Sequence, residues 1–205
     1  MRTFSPLLLL LIVISSCENE AFFDSAGESI SVSKVESVMN LQGEAQRIAY
    51  NMLTQKEQHY LWDRKFKRVL YSGHLTSEQE QLVTELRQSL AMLLNRSLTT
   101  QETADFERNW VSKAQRVFSK AELYTLAYSI TDQISKVSKV SLSQLRTSAT
   151  TELESCQCND ESVWACMPSP DHICKQLENE CLVHWGGCGF VWLATCNGLC
   201  WPTGV

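Results

Sequence analysis

From about Ile30 to Ser135 the apolar residues recur three and four positions apart, the spacing of one face of an α-helix. No proline interrupts the chain between Pro6 and Pro168. The pattern predicts a mainly α unit over 30–138, a helical bundle of about five helices. The first helix is expected over 32–52. The second starts near Gln55, turns Leu61, Trp62, Phe66, Val69 and Leu70 inward, and closes at Ser72-Gly73. A third carries Leu82, Leu86, Leu90, Leu93 and Leu94, a fourth Phe106, Trp110, Ala114 and Val117, and a fifth Leu123, Leu126, Ala127, Ile130 and Ile134. Start signals stand where the pattern needs them. Thr54 with Glu57, Ser77 with Glu80, Thr99 with Glu102 and Ser119 with Glu122 have the spacing at which a hydroxyl and a carboxylate satisfy each other's backbone donors. Stripes of this kind are bundle core far more often than a cofactor site, and they are read as core.

The residues before the bundle follow another logic. Arg2, the apolar run Leu7 to Ile14 and the small pair Ser15-Ser16 have the architecture of an export signal. The run falls far short of the roughly 20 apolar residues that a membrane-spanning helix needs. Cys17 follows directly, and Ile14-Ser15-Ser16-Cys17 resembles the lipobox of bacterial lipoproteins, in which the cysteine thiol carries diacylglycerol. The rival reading is a plain secretory signal with a chance cysteine. The lipobox also accounts for the odd ninth cysteine of an exported chain. Residues 1–16 are therefore expected to be a lipoprotein signal peptide and 17–29 a lipidated tether, with the membrane a partner through the anchor.

After the bundle the composition shifts to serine, threonine, lysine and valine, and 139–154 is expected to be a linker and the natural place for a protease to cut. The other eight cysteines lie beyond it: Cys156, Cys158, Cys166, Cys174, Cys181, Cys188, Cys196 and Cys200. A unit as small as 155–205 buries too little apolar surface to offset its chain entropy, so four bridges are the expected source of its stability. Cys156 and Cys158 are too close to bond each other and are expected to reach forward to different partners. The rest of the pairing is open. Zinc held by thiolates is the alternative, disfavoured by the export signal and by the lack of paired C-x-x-C knuckles.

Within the module, Pro168 and Pro170 predict a turn, 175–180 a helical turn, and 190–195 a strand. Asn197-Gly198, flanked by Cys196 and Cys200, predicts a short β-hairpin, and Gly186, Gly187 and Gly189 a second reversal. Trp164, Trp185, Phe190, Trp192 and Trp201 are too many large aromatics for so small a unit to bury. Some are expected at the surface, as a binding face for a partner or a membrane interface.

Charge removes some functions. The chain has 18 basic and 23 acidic residues, which leaves no footprint for nucleic acid. From Cys156 onward Lys175 stands against Asp160, Glu161, Asp171, Glu178 and Glu180, unlike a cationic membrane-lysing peptide. His59 and His74, which form no metal-ligand pair on one helix face, are read with the bundle core and not as ligands, and His172 and His184 as surface residues. No nucleophile, base or phosphate-loop motif is present, so neither an enzyme nor a bound cofactor is expected.

The cysteine order, with Cys156-x-Cys158, then Cys166, Cys174 and Cys181, then Gly187-Cys188-Gly189-x-x-Trp192 and Cys196-Asn197-Gly198, resembles the fulvocin C-related bacteriocins. The likeness covers roughly 155–201, and Leu53-Thr54-x-x-Glu57 with Leu61-Trp62 resembles the helical part of related lipoprotein-like sequences. One feature departs from the family: its last cysteine precedes the C-N-G, whereas Cys200 follows it here, so no bridge pattern is carried over. The resemblance implies an antibacterial peptide, stored in an envelope lipoprotein precursor and released by a cut before the module to act on a target-cell envelope receptor. A surface lipoprotein that displays the module as a permanent binding head, without killing, is the competing expectation.

Overall fold

The computed structural model describes residues 29–95, 97–130, 154–162, 166, 172–176 and 181–203. Cys17, Ile134, Trp164, the Pro168–Pro170 turn and all of the expected linker except Glu154 lie outside these residues. The described chain is mainly α, followed by a small strand region closed by four disulfides.

Six helices are described: α1 Val32–Asn40, α2 Gly43–Asn51, α3 Gln55–Tyr71, α4 Ser77–Leu94, α5 Thr100–Ala114 and α6 Lys120–Ala127. The single first helix expected over 32–52 is two. Leu41 and Gln42 are extended and Gly43 is left-handed at φ 58°, which breaks the helical ladder and turns the chain back. Gln46 seals the turn by donating from Nε2 to the Val38 carbonyl at 3.3 Å.

Three of the expected capping boxes form, at Thr54–Glu57, Thr99–Glu102 and Ser119–Glu122. The one at α4 sits a residue earlier than expected: Thr76 is the cap, and Gln79 returns a bond to the Thr76 N–H at 2.9 Å. Thr-x-x-Gln and Ser-x-x-Glu are offset by one position here, and the Gln79 amide also donates from Nε2 to the Val117 carbonyl at 2.8 Å. The box at α3 also ties α1 down, because Glu57 accepts from Lys34 Nζ at 3.0 Å and from the Ser31 N–H at 3.3 Å. Burial alone would raise the Glu57 pKa. The bonds from Thr54, Lys34 and Ser31 outweigh it and hold the carboxyl below its ordinary value.

The apolar stripes meet as expected. Leu61, Trp62, Phe66, Leu86, Leu90, Trp110, Leu123 and Leu126 form the centre of one continuous core, which Ile130 extends beyond the end of α6. One charged residue lies inside it. Lys65 of α3 is fully buried, and its ammonium donates to the carbonyls of Thr125 at 2.5 Å, Leu126 at 2.6 Å and Ser129. It also lies 4.7 Å from the Trp62 ring centre. A cation at the carbonyl end of α6 meets both the unpaired acceptors and the negative end of the helix dipole, which makes its burial tolerable.

The strands form three two-stranded sheets. β1 Glu154–Ser155 pairs in parallel with β3 Cys181–Leu182, β2 His172–Lys175 is antiparallel to β6 Leu199–Pro202, and β4 His184–Cys188 is antiparallel to β5 Ala194–Cys196. The β4–β5 hairpin is joined by a 3₁₀ turn at Phe190–Trp192, not by a strand over 190–195. Asn197-Gly198 is not a hairpin turn either, because β5 and β6 belong to different sheets. The glycine is needed for closeness: a Cβ on Gly198 would stand 2.6 Å from the Lys175 carbonyl oxygen and 2.8 Å from Cys174 Sγ. Lys175 ends β2 instead of opening a helical turn.

Replacing Lys65 with methionine leaves buried carbonyls without a donor and is expected to destabilise the fold by roughly 3 kcal/mol, against about 1 kcal/mol for Thr99→Ala at an exposed cap. Urea unfolding of the two variants compares them; equal losses would mean that the ammonium is not the cap of α6.

Candidate functional site

All eight cysteines of the module are bridged: Cys156–Cys181, Cys158–Cys174, Cys166–Cys200 and Cys188–Cys196. Cys156 and Cys158 do reach forward to different partners. Cys156–Cys181 staples the short parallel pair β1–β3, Cys188–Cys196 closes the β4–β5 hairpin, and Cys166–Cys200 joins the front of the module to β6. The sulfurs of Cys158, Cys166 and Cys200 lie within 4.8 Å of one another because two bridges stack side by side. A bridged sulfur is not the thiolate that zinc binds, so the cluster as it stands is covalent, not a metal set. Four bridges fit an extracellular or envelope-exposed location. Among the described residues no helix is long and apolar enough to cross a membrane.

The turn between β4 and β5 does not face solvent. Phe190, Val191 and Trp192 are 2%, 0% and 7% exposed and belong to the same core as the helices. The Trp192 ring meets Tyr50 of α2 edge-on at 5.1 Å, and its Nε1 donates to the Tyr128 carbonyl at 3.0 Å. Phe190 fits among Trp110 at 5.5 Å, Tyr128 at 5.8 Å and Phe106 at 6.2 Å, measured between ring centres. Two of the aromatics expected as a binding face are thus inside the molecule. The module solves its shortage of core by borrowing that of the bundle.

Two phenols line this seat. Tyr50 accepts a hydrogen bond from Trp62 Nε1 at 3.1 Å, and burial pushes its pKa well above the ordinary tyrosine value. Tyr128 donates to Glu107 at 2.6 Å, and burial followed by the nearby carboxylate raises it further. Both remain neutral, so the seat carries no phenolate charge at physiological pH.

The backbone of the turn is unusual. Val191 has φ 41° and Trp192 φ 56°, the left-handed region that a β-branched residue avoids most. Each such residue costs on the order of 1–3 kcal/mol. The Cys188–Cys196 bridge closes the loop at its base, and burial of two aromatic side chains, typically about 1.5–3 kcal/mol each, is of the same order as the strain it offsets.

A second contact lies on α2. Gly186 and Gly187, expected to mark a reversal, lie in β4 with φ 74° and 86°, pressed flat against the helix. A Cβ on Gly187 would come within 3.0 Å of Arg47 Cβ, and one on Gly186 within 2.5 Å of Asn51 Oδ1. Asn51 Nδ2 donates to the Gly186 carbonyl at 3.4 Å, and Ser155 Oγ meets the Glu44 carboxylate. Burial of the Arg47 guanidinium, partly offset by Tyr124 and Glu44, lowers its pKa.

Among the described side chains, Trp201 is not part of the core that this seat completes. Trp201, in β6, is half-buried with Lys175 Nζ 5.5 Å from its ring centre. Trp185 and His184 belong to β4. His172 is half-buried in β2, and its Nδ1 is enclosed without a hydrogen-bond partner. His74 is exposed, whereas His59 is half-buried, and that burial lowers its pKa. The socket residues Tyr50, Phe106, Trp110 and Tyr128 were not legible as a site. The available signal was the module's aromatic surplus, which points to docking as readily as to exposure.

The arrangement defines a class: a helical domain whose core is completed by a disulfide-closed loop from a small C-terminal module. Comparison of the chain with family models, with curated proteins and with solved structures gives no match.

Gly187→Ala is expected to destabilise more than Gly73→Ala. Both glycines have positive φ, but nothing lies within 4 Å of a Cβ at Gly73, so only Gly187 adds a clash to the backbone cost of about 1 kcal/mol. Equal losses in thermal unfolding would contradict the close seat on α2. Reduction and intact mass should show a gain of about 8 Da, two hydrogens for each of the four bridges.

Proposed function

We propose that the chain is an exported envelope lipoprotein, anchored through Cys17, that carries an antibacterial cysteine module in a latent, docked form. The observation that supports this reading is the burial of Phe190, Val191 and Trp192 in the bundle. The loop that continues the family-like Gly187-Cys188-Gly189 string is hidden while the helical domain holds it. On this reading the bundle is a pro-region, the chain has no catalytic role, and the freed module acts on a receptor of a target-cell envelope. The four bridges keep the module folded after it leaves the bundle.

A second reading keeps the two parts together for good. The apolar loop is continuous with the helical core, and the Asn51–Gly186 and Trp192–Tyr128 hydrogen bonds fix its pose, as in a permanent binding head on a helical stand. The surface of the module, including Trp201, would then meet the partner.

The test is growth inhibition of related bacteria by three samples: intact protein with Cys17→Ser, protein cut within 139–153, and the C-terminal fragment separated under denaturing, non-reducing conditions and then diluted. The latent-precursor reading expects inhibition by the separated fragment and none by intact protein. A fragment with four intact bridges and no inhibitory effect would leave the binding-head reading.

A further inference from the structure

We propose that the helical bundle is a binding protein for the cysteine module, so that a cut in the connecting segment does not release it. The bundle is expected to retain residues 154–205 as a one-to-one noncovalent partner and to recapture that fragment after separation. This goes beyond the latent-precursor reading and rests on the fold alone.

The covalent map comes first. All four bridges close within the module, between Cys156 and Cys200. Residues 131–153 connect the two parts along the chain, and the loop and socket contacts described above are made by residues on either side of that segment. The contact itself has the anatomy of a binding hot spot. Two aromatic anchors fill a socket of Tyr50, Phe106, Trp110 and Tyr128, and the indole N–H finds a buried carbonyl. Around it the Gly186-Gly187 face packs closely on Arg47 and Asn51.

Preorganisation argues the same way. Cys188–Cys196 closes the loop before it meets the helices, so little further ordering is needed on binding. On the other side, Lys65 holds the carbonyl end of α6, which presents the Tyr128 acceptor, through bonds wholly within the bundle. Departure of the module would uncover three core residues and their socket together. Such a pair separates only slowly on dilution.

The experiment uses the full chain with a protease recognition sequence inserted within 139–153. The native protein is cut, diluted to micromolar concentration and run on size exclusion, with the bridges checked by mass. Co-elution of both fragments as one species of the uncut size is the expected result; separate peaks, or aggregation of the bundle fragment, would overturn the proposal. In a second arm the fragments are separated in denaturant without reductant and remixed on dilution. Recovery of the complex supports recapture, and its failure with all four bridges intact counts against it. Trp192→Phe, which keeps the apolar fill and loses the indole donor, should weaken the complex up to about tenfold, and Phe190→Ala roughly a hundredfold or more. Because Trp192→Phe is conservative, it reads the contact even if Phe190→Ala fails to fold. Unchanged affinity in Trp192→Phe and Phe190→Ala would place recognition elsewhere and sink the assignment of the loop. Killing activity is a separate readout, so a fragment that the bundle recaptures but that is inactive when separated tells against the antibacterial reading and leaves this one standing.

Discussion

The fold turns on the seating of one three-residue turn inside six helices. Phe190, Val191 and Trp192 enter a core made otherwise of helical side chains, and the parts around them are arranged to receive them. Lys65 anchors the end of α6 and so fixes the stretch that carries Tyr128. The Tyr128 carbonyl takes the Trp192 indole, and its ring and hydroxyl are held by Phe190 and Glu107. Tyr50, steadied by Trp62, closes the other side. A buried cation, two neutral phenols and a strained loop are individually unfavourable. Each is offset by its own partners, Lys65 by three carbonyls, Tyr50 by Trp62, the Tyr128 hydroxyl by Glu107 and the Trp192 indole by the Tyr128 carbonyl.

The bridges and the bundle divide the work of stabilising a unit with almost no regular structure. The strands are two to five residues long and lie in three separate pairs, too little for an independent sheet. Cross-links restrict the unfolded chain but bury little. Burial comes from the helices, which accept Phe190 and Trp192 from the turn of the hairpin. Among its described residues the module leaves Ile173, Leu182 and Val183 exposed while its loop goes inward.

Helix positions and three of the four caps were legible because they depend on residues a few positions apart. The misreadings have local causes as well. Gly43 was passed over as a helix break inside an otherwise regular stripe, and two overlapping capping patterns at Thr76 and Ser77 competed for one helix start. Asn197-Gly198 matched a turn signal, but the Gly198 requirement comes from Lys175 and Cys174, which are distant in sequence. The seat itself was hidden for the same reason. Periodicity tells which face of a helix is apolar and not what covers it, and the bridge partners, separated by 8 to 34 positions, follow no short-range rule. That Phe190 and Trp192 exceed what the module can bury was visible; that the bundle has room for them was not.

The contacts that finish the core join residues far apart along the chain: Asn51 and Gly186 are 135 positions apart, and Trp192 and Tyr128 are 64 apart. A growing polypeptide therefore carries its helices with an open apolar cleft until the loop, 64 positions beyond Tyr128, has been made. Packing of the bundle is for that reason coupled to synthesis of that loop and to oxidation of Cys188 with Cys196. Until both have happened, the helices present the kind of uncovered apolar surface on which misassembly begins.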